Sequence, residues 1–333
     1  MNIAIIGCGC LGGVIAARLL QAEKHKVSII DPNEEIQRTI SDRGLVLKTW
    51  RKRRGFMTEV FDNSTLMPEK VDLAIVGTKA NNTIEAAKAF LPLMKANAVF
   101  ITVQNGLVGL DLANEVGAEK VIQGVVLWGA SMKGPGEYKL TARGPFIIGS
   151  LSEKPLKSLD QVQSVLGSVF PVYVSFNIEG VLWAKMHITC ALTSLGAITG
   201  LRFGRMLQHR KTRTLALGIG KEVLAVARAR NVKLEPLGNR LDIEYFLDEN
   251  GARLWRKHYT MRFIGFHHRK TESSMLADIR AGKKTEIDHL NGLIQKYSEE
   301  KGIDIPLNTK VIELVKKLES NVLQPSPDNI FCF

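Results

Sequence analysis

A glycine-rich turn near the start of the chain restricts the possible folds more than any other feature. Residues 2–6 (Asn-Ile-Ala-Ile-Ile) form a short apolar run that leads directly into Gly7-x-Gly9-x-x-Gly12, and an amphipathic stretch begins at Val14. This order predicts a β-strand, a tight turn and an α-helix. In such a unit the first glycine allows the turn, the second lets the backbone approach a pyrophosphate, and the third lets helix and strand pack closely.

The turn predicts a dinucleotide site, because the free N–H groups and the positive dipole end of the following helix face the phosphates. The alternative is an ordinary glycine turn in another α/β protein. The position of the motif directly after a β-rich run favours the dinucleotide interpretation. The candidate cofactor-binding residues are Gly7, Cys8, Gly9, Cys10, Leu11 and Gly12.

Asp31 bears on the choice of cofactor. The apolar run at residues 26–30 ends in this aspartate, about 20 residues after the last glycine, as the fingerprint requires. A carboxylate here can accept hydrogen bonds from ribose hydroxyls and would repel a 2′-phosphate, so we predict NAD in preference to NADP. Asp31 could also cap the helix that begins at Glu34. NADP stays open, because the basic run at residues 51–54 could reach a phosphate.

Length and composition favour a two-domain protein without a membrane segment. A chain of 333 residues with 45% hydrophobic residues can form two packed cores. We expect no transmembrane span, because the longest apolar runs resemble buried strands. The N-terminal run is itself the first predicted strand and is therefore not expected to be a signal peptide. A cytoplasmic location and no membrane partner are the expectations.

The cysteines and the positive charge do not predict a metal or nucleic-acid site. Cys8 and Cys10 are small residues in a crowded turn, without the second pair of ligands that a zinc site needs, and we expect neither a metal nor a disulfide framework. The formal net charge of +12 is spread along the chain without interleaved aromatic residues, so no nucleic-acid partner is predicted. Residues 51–54 resemble a solvated hairpin tip. A basic surface can instead attract an anionic substrate and cofactor.

The first half of the chain alternates strand and helix patterns, which predicts a doubly wound parallel sheet of the Rossmann type. The predicted strands are 2–6, 26–30, 72–77, 98–103, 121–127 and 171–175. The predicted helices are 10–22, 34–43, 81–94, 108–116 and 156–167. Residues 135–150 resemble a hairpin that closes this domain.

From about residue 177 the pattern changes to long helices. Apolar residues recur at helical spacing in the segments 178–199, 211–230, 272–281, 285–301 and 308–319. We therefore predict an α/β architecture in which a dinucleotide-binding domain over 1–176 is followed by an all-α helical domain over 177–333. The helical domain would serve substrate binding and dimerisation, and a substrate is expected between the two domains.

Two polar residues follow predicted strands of the first domain, at the sheet edge where ligands bind. Lys79 comes directly after the strand at 72–77, and Asn105 follows the strand at 98–103. Lys79 could contact the cofactor or an anionic substrate, or be a solvated loop lysine. Asn105 precedes Gly106 and could simply form a turn.

Two segments of the helical half carry a family resemblance. The first is Leu182-Trp183-Ala184-Lys185-Met186; the second runs from Ser273-Ser274-Met275 to Asn291-Gly292 and includes Thr285-Glu286-Ile287-Asp288. Together with the glycine turn and Gln104-Asn105-Gly106, they resemble the ketopantoate reductase family over nearly the whole chain. That family reduces the keto group of a 2-keto acid with a nicotinamide cofactor, and the resemblance implies a place in pantothenate biosynthesis.

The resemblance implies roles for individual residues. It implies that Lys185 is the general acid, that Glu286 and Ser274 bind the substrate, and that Asn105 lies by the nicotinamide and the substrate. It also implies that Lys79 lies near the cofactor. The chemistry agrees, since hydride transfer to a ketone builds negative charge on oxygen and needs an acidic or cationic donor. Glu286 could orient a substrate hydroxyl or hold the lysine in place.

Considered alone, Lys185 would be a solvated helix lysine and Glu286 an acid favoured by a helix dipole, so the surrounding pattern selects them. His187 and His289 are alternative proton donors, which we rank below Lys185 because lone helical histidines are more often structural.

The chain departs from the family pattern at several positions. The family usually has asparagines four and eight residues after the catalytic lysine, whereas this chain has Thr189 and Thr193. That spacing keeps both on the helix face of Lys185, so they remain candidate substrate-binding residues with shorter, hydroxyl-bearing side chains. Many members also carry an arginine where this chain has Asp31. These changes favour a relative with NAD and another 2-keto acid.

We therefore predict reduction of a branched 2-keto acid, ketopantoate or an analogue, to the D-2-hydroxy acid. One alternative is an NAD-dependent D-2-hydroxyacid dehydrogenase of the mandelate type with another substrate. Another is a non-catalytic NAD-binding regulator. The expected partner is a small-molecule 2-keto acid, and a homodimer is an open alternative to a monomer.

Overall fold

The computed structural model describes residues 1–50, 52–62, 67, 69–152, 157–237 and 251–333, with the backbone alone at residues 157 and 251–253. The chain divides into two compact units, Met1–Ile178 and Glu179–Phe333. The division falls two residues after the expected domain boundary.

The first unit is built on an eight-stranded sheet with a separate four-stranded sheet beside it. The strands in chain order are β1 (Asn2–Ile6), β2 (Lys26–Ile30), β3 (Leu45–Lys48), β4 (Arg53–Phe56), β5 (Glu59–Phe61), β6 (Val71–Val76), β7 (Met94–Thr102), β8 (Val121–Val126), β9 (Gly129–Gly134), β10 (Glu137–Ala142), β11 (Phe146–Ser150) and β12 (Val172–Val174). The large sheet has the order β12-β11-β8-β7-β6-β1-β2-β5. All of its neighbouring strands pair parallel except β8 and β11, which pair antiparallel.

The large sheet is buried on both faces, as a parallel sheet with helical crossovers must be. Alternate residues of β1 enter different core clusters: Ile3 and Ile5 pack in one, and Ala4 and Ile6 in the other. The helices of this unit are α1 (Cys10–Ala22), α2 (Glu34–Arg43), α3 (Thr83–Phe90), α4 (Val108–Val116) and α5 (Lys157–Gly167). The doubly wound α/β prediction for this half is confirmed.

The small sheet corrects the predicted hairpin over residues 135–150. The strands of this sheet have the order β4-β3-β10-β9, and β9 and β10 form the hairpin across a turn at Gly136, whose φ is +70°. β11 instead joins the large sheet beside β8. The prediction was wrong because Phe146, Ile147 and Ile148 are all buried, which requires a strand covered on both faces rather than a hairpin arm.

The basic run at 51–54 lies near a hairpin turn, as predicted, but Arg53 and Arg54 belong to β4 rather than to the tip. The Thr49 N–H donates to the Lys52 carbonyl across the turn at 2.8 Å, and residue 51 is outside the described residues.

The described part of the second unit is helical. Its helices are α6 (Ile178–Thr199), α7 (Phe203–Met206), α8 (Arg210–Ala229), α9 (Gly251–His267), α10 (Ser274–Arg280), α11 (Asn291–Lys301) and α12 (Pro306–Glu319). The sequence predicted α6 at its observed bounds. The expectation that no stretch is long enough to span a membrane was wrong by length, because α6 has 22 residues and is apolar enough. However, 72% of its most apolar window is buried in the protein, and a core helix passes the same test.

Helix α9 was not predicted, and its apolar pattern is unusual. Lys257, Met261 and Gly265 lie on its buried face. Four aromatic side chains lie on its exposed face, at 58–67% exposure, and we call them the α9 stripe: Trp255, Tyr259, Phe263 and Phe266. The usual interpretation of an amphipathic helix takes its apolar face as the buried one. For α9 that interpretation would select the exposed face.

Candidate active site

The glycine turn has no room for side chains at two of its three glycines. Gly7 has a φ of +89°, and a Cβ there would lie 2.7 Å from the Thr78 nitrogen. A Cβ at Gly12 would lie 2.1 Å from the Gly7 carbonyl oxygen. At Gly9 the nearest atom to a Cβ is the Gly77 oxygen at 3.7 Å, so the backbone is approachable there. These are the separate reasons for which a dinucleotide turn needs glycine.

The turn ends in a helix N-terminus that can receive an anion. Gly9 is the N-cap of α1, no side chain caps it, and no acidic residue lies in the first helical turn. Within the described parts of the chain, none of the amide N–H groups of Gly9–Gly12 has a protein acceptor. Four backbone donors and a positive dipole end therefore fit the pyrophosphate of a dinucleotide cofactor.

Asp31 is buried beside this turn, with 7% of its surface exposed. The Cys8 N–H donates to Asp31 Oδ2 at 2.6 Å, and the Asn33 N–H donates to Oδ1 at 3.0 Å. Asn33 caps α2 by accepting from the Ile36 N–H, so Asp31 holds the capping residue rather than capping the helix itself. Each carboxylate oxygen can accept a further hydrogen bond, which leaves capacity for a ribose hydroxyl.

Tyr138 contacts the turn, and sequence reasoning missed it. Its hydroxyl donates to the Cys8 carbonyl at 2.5 Å and lies 3.2 Å from Cys8 Sγ. Its ring packs on α1, where a Cβ at Gly13 would lie 2.3 Å from the ring carbons. Burial raises the pKa of the Cys8 thiol to about 12, so this cysteine stays protonated, whereas Cys10 is exposed. Nothing around position 138 in the sequence signals the contact, because it joins β10 to a turn far away in the chain.

The residues after β6 and β7 are held together by Gln104. This buried side chain donates to the carbonyls of Val76 and Thr78, at 3.0 and 3.2 Å. Lys79 is exposed next to Thr78, and its carbonyl accepts from the Thr83 hydroxyl at 3.2 Å. Asn105 is half-buried, and its side chain has no hydrogen-bond partner among the described residues. Both candidates thus lie at the edge of the sheet that carries the glycine turn.

In the second unit, Lys185 and Glu286 come together. Lys185 lies on α6 with part of its surface exposed, yet its ammonium group is largely desolvated. This desolvation lowers the pKa of Lys185 to about 8, and the nearby Glu286 carboxylate opposes the shift. Such a lysine is protonated at neutral pH and releases its proton more readily than an ordinary lysine.

The segment that carries Glu286 is anchored by its neighbour. The amide and hydroxyl of Thr285 both donate to Glu319 Oε1 at 2.7 Å, and the Ile287 N–H donates to the Thr285 hydroxyl at 3.2 Å. Glu286 then stands at the start of a short 3₁₀ turn, Ile287–His289. The chain is therefore fixed on both sides of the carboxylate.

The threonines that replace the family's asparagines lie on the same helix as Lys185. The Thr189 hydroxyl donates to the Lys185 carbonyl at 3.0 Å, and Thr193 is 9% exposed. Ser273 caps α10 and donates to the Thr193 carbonyl at 2.6 Å, whereas Ser274 is exposed. Ser273 was not selected from the sequence; its place in an N-cap pattern before an apolar run could have indicated it.

His187 is a poor proton donor at neutral pH. Burial lowers the pKa of its imidazole to about 4, and Nδ1 lies 3.0 Å from the Ala184 carbonyl. His289, the other alternative, is half-buried on the turn after Glu286. Over residues 1–50, 52–62, 67, 69–152, 157–237 and 251–333, no group of three or more His, Cys, Asp or Glu side chains could hold a metal ion.

Comparison with known proteins gives a consistent result along the chain. The model for "Ketopantoate reductase PanE/ApbA" matches residues 3–153, and that for its C-terminal domain matches residues 177–319. The chain is 27% identical over 321 residues to a 2-dehydropantoate 2-reductase of Pyrococcus abyssi, covering 96% of this chain and 98% of that one. It is 25% identical over 325 residues to the same enzyme of Escherichia coli O157:H7, covering 96% of both chains.

Solved structures agree with these matches. A PanE/ApbA family ketopantoate reductase from Ralstonia eutropha JMP134 superposes with a TM-score of 0.81 at 29% identity, over 96% of this chain and 99% of that one. A D-mandelate dehydrogenase with NADH and anilino(oxo)acetate superposes with a TM-score of 0.84 over 97% and 99% of the two chains, and at 22% identity it shares the fold. The predicted resemblance is confirmed, and the chain belongs to the ketopantoate reductase PanE/ApbA family.

Proposed function

We propose that this protein is a nicotinamide-dependent oxidoreductase that reduces a branched 2-keto acid, ketopantoate or a close analogue, to the D-2-hydroxy acid. The observation that carries the proposal is the electrostatic interaction of the Glu286 carboxylate with Lys185, a desolvated lysine whose pKa is lowered to about 8. The pair occurs in a chain whose relatives from Pyrococcus abyssi and Escherichia coli are 2-dehydropantoate 2-reductases.

Lys185 serves as the general acid. A bound nicotinamide supplies the hydride. As the keto carbon accepts it, negative charge grows on the keto oxygen, and an ammonium group beside that oxygen stabilises the charge and then transfers its proton. A lysine pKa of about 8 suits this role, because the group is charged at neutral pH and still acidic enough to give up its proton.

We assign recognition of the substrate to Glu286 and to four further polar residues, Ser274, Thr189, Thr193 and Asn105. The Glu286 carboxylate raises the pKa of Lys185 and thereby keeps it charged, and it can also accept a hydrogen bond from a substrate hydroxyl. Ser274, Thr189 and Thr193 offer hydroxyl groups. Asn105 offers an amide that no described residue engages, which suits contact with the nicotinamide and the substrate.

The cofactor proposed is NAD, bound by the glycine turn and Asp31. The free N–H groups of Gly9–Gly12 hold the pyrophosphate, and Lys79 adds positive charge at the same sheet edge. The buried Asp31 carboxylate accepts from the ribose and repels a 2′-phosphate. The ratio of kcat/KM with NADH to that with NADPH tests this preference, and a ratio below one would contradict it.

A panel of 2-keto acids, assayed with NADH and NADPH, tests the reaction. Lys185→Ala should lower kcat for the best substrate by roughly 100-fold or more, the usual scale of general acid catalysis. Lys301→Ala, at an exposed lysine of α11, is the matched control and should leave kcat unchanged. Equal turnover of Lys185→Ala and the wild type would refute the assignment.

A second candidate is an NAD-dependent D-2-hydroxyacid dehydrogenase with another substrate. The threonines at 189 and 193 and the fold shared with a D-mandelate dehydrogenase favour it. Faster turnover of aromatic than of branched keto acids would decide for this candidate. NAD binding without turnover of any keto acid would decide for a non-catalytic regulator.

We also propose a cytoplasmic homodimer that associates through the α9 stripe. Its four aromatic side chains expose together roughly 500 Å², which approaches the ~800 Å² per partner of a standard interface. Arg256, Arg262 and Arg269 flank the stripe, so two copies repel and added salt should tighten association.

Sedimentation of the wild type and of the double variant Trp255→Ser/Tyr259→Ser tests the dimer. The variant should sediment as a monomer, while Tyr173→Ser, at an exposed tyrosine of the first unit, should remain dimeric. A monomeric wild type would contradict the proposal.

A further inference from the structure

We propose that Tyr138 is a positioning residue for the cofactor turn: its hydroxyl fixes the Cys8–Gly9 peptide so that the Gly9 N–H faces the cofactor pyrophosphate. This inference rests on the proposed function only in so far as the turn binds a dinucleotide. Tyr138 itself needs no contact with the cofactor.

The Cys8 residue is held from two sides. Its N–H donates to the buried Asp31 carboxylate, and its carbonyl accepts from the Tyr138 hydroxyl. The peptide groups before and after Cys8 therefore each have one end bound to a buried side chain. Glycines stand on both sides of Cys8, and these two bonds limit the rotation that they would otherwise allow.

The hydrogen bond from Tyr138 to the Cys8 carbonyl also determines the direction of the Gly9 N–H. The peptide group is planar and trans, so its carbonyl and its N–H point in opposite directions. Because the Cys8 carbonyl points at Tyr138, the N–H of Gly9 points away from Tyr138. Gly9 is also the turn glycine where a Cβ would meet no atom within 3.4 Å, so a ligand can approach that amide.

Tyr138 is well placed to hold a fixed position. It is the second residue of β10, paired with Leu47 of β3 and Met132 of β9, and it is 1% exposed. Its ring is pressed against Gly13 of α1. Burial raises the pKa of the phenol, so the hydroxyl remains a proton donor throughout the pH range of enzyme assays. The hydroxyl position is thus set by a β-sheet and not by the turn.

The inference predicts a selective effect on the pyrophosphate-binding half of the cofactor. Tyr138→Phe keeps the ring against Gly13 and removes only the hydroxyl. The loss of one hydrogen bond that pre-orients a phosphate-binding amide should weaken ADP-ribose binding by about 3- to 10-fold. Tyr173→Phe, at an exposed tyrosine of β12, is the matched control and should not change that affinity.

Two measurements on the full chain test the role. Titration calorimetry with ADP-ribose gives the affinity, and amide hydrogen exchange without any ligand reports on the turn. We expect faster exchange of the Cys8 amide, whose N–H is bonded to Asp31, in Tyr138→Phe and unchanged exchange in the second unit. An unchanged ADP-ribose affinity together with unchanged exchange of the Cys8 amide would overturn the proposal.

A second variant changes the position of Tyr138 by a substitution in α1. Gly13→Ala keeps the hydroxyl but places a Cβ where the ring lies, so it should displace Tyr138 and weaken ADP-ribose binding as well. An ADP-ribose affinity that stays at the wild-type value in a folded Gly13→Ala protein would count against the inference, even where Tyr138→Phe does not fold.

ADP-ribose carries no nicotinamide, so this test is separate from the test of the reaction. If no 2-keto acid is reduced, the reductase proposal fails and the role of Tyr138 can still be supported. If the wild type does not bind ADP-ribose, the dinucleotide site and the positioning role both fail.

Discussion

Lys185 holds its proton through two opposing effects, and Glu286 supplies one of them. Desolvation lowers the pKa of Lys185, and the Glu286 carboxylate raises it. In the reductive direction the acid must be protonated, so kcat/KM should fall above pH ~8, by tenfold for each further pH unit.

Glu286→Gln should move this alkaline limb to lower pH, because it removes the charge that favours the protonated lysine. Profiles of kcat/KM against pH for keto-acid reduction measure the shift. Asp288→Asn, at an exposed carboxylate that pairs with Lys316, is the control and should leave the limb in place. A limb that stays fixed or moves to higher pH in Glu286→Gln would show that the two groups are not coupled.

Single residues were predictable from the sequence only where a local motif contains them. The three turn glycines follow from the fingerprint, and the structure gives the physical reasons: crowding at Gly7 and Gly12, and an approachable backbone at Gly9. Lys185 and Glu286 were found because the segments around them resemble a family. Tyr138 was not found, because its role depends on a contact between distant parts of the chain.

Among the helical elements, a buried polar network joins α6, α8, α11 and α12. Asn308 on α12 donates to the Ile219 carbonyl and to Glu222 of α8, at 3.1 and 2.7 Å. Asn291 of α11 donates to Asn308 at 2.9 Å and to the Cys190 carbonyl of α6 at 3.2 Å. Both asparagines are fully buried.

Asn308→Ala should lower the free energy of unfolding by about 3 kcal/mol, because it leaves several buried polar groups without partners. Urea unfolding followed by circular dichroism measures the change. Lys310→Ala removes an exposed ion pair with Glu313 on the same helix and should change the value by less than about 1 kcal/mol. Equal effects of the two substitutions would mean that the network does not stabilise the helices.

Helices whose apolar residues recur with one clear helical period were predicted at their observed bounds. Elements whose apolar residues follow no single period were not. α4 and α6 match the prediction. The sequence predicted a helix through residue 94, but β7 begins at Met94, since two 3₁₀ turns shorten the helix at both ends. α9 was not predicted, although its aromatic residues recur at helical spacing; periodicity alone could not have shown that this apolar face lies outward.

At the scale of the whole molecule, the half-buried His187 makes the free energy of unfolding depend on pH. The pKa of His187 is about 4 in the folded protein against 6.5 for an ordinary histidine, so the unfolded chain binds a proton first as pH falls. The stabilising contribution is present above pH 6.5 and is lost as pH falls towards 4. The expected loss by pH 4 is about 3 kcal/mol.

Urea unfolding at a series of pH values between 7 and 4 measures this loss. His187→Gln removes the titrating group and should flatten the dependence over that range. An unchanged slope in the variant would assign the acid sensitivity to other groups.

The chain as a whole was predictable at the level of class. The prediction of an α/β half followed by a helical half is confirmed, because the change from alternating strands and helices to helices alone is visible in the sequence. The separate four-stranded sheet was not predicted. Two hairpins, β3–β4 and β9–β10, form this sheet, and strands of the large sheet lie between them in the chain. No local pattern therefore indicates that β3 pairs with β10.

The double engagement of Asp31 has a consequence for any attempt to redesign cofactor selectivity. Replacing Asp31 with a cationic residue would favour binding of a phosphorylated ribose, but it would also remove the acceptor of the Cys8 N–H. The choice between NAD and NADP and the conformation of the glycine turn thus both depend on the Asp31 side chain. A switch to NADP would need at least one compensating substitution to re-anchor the loop.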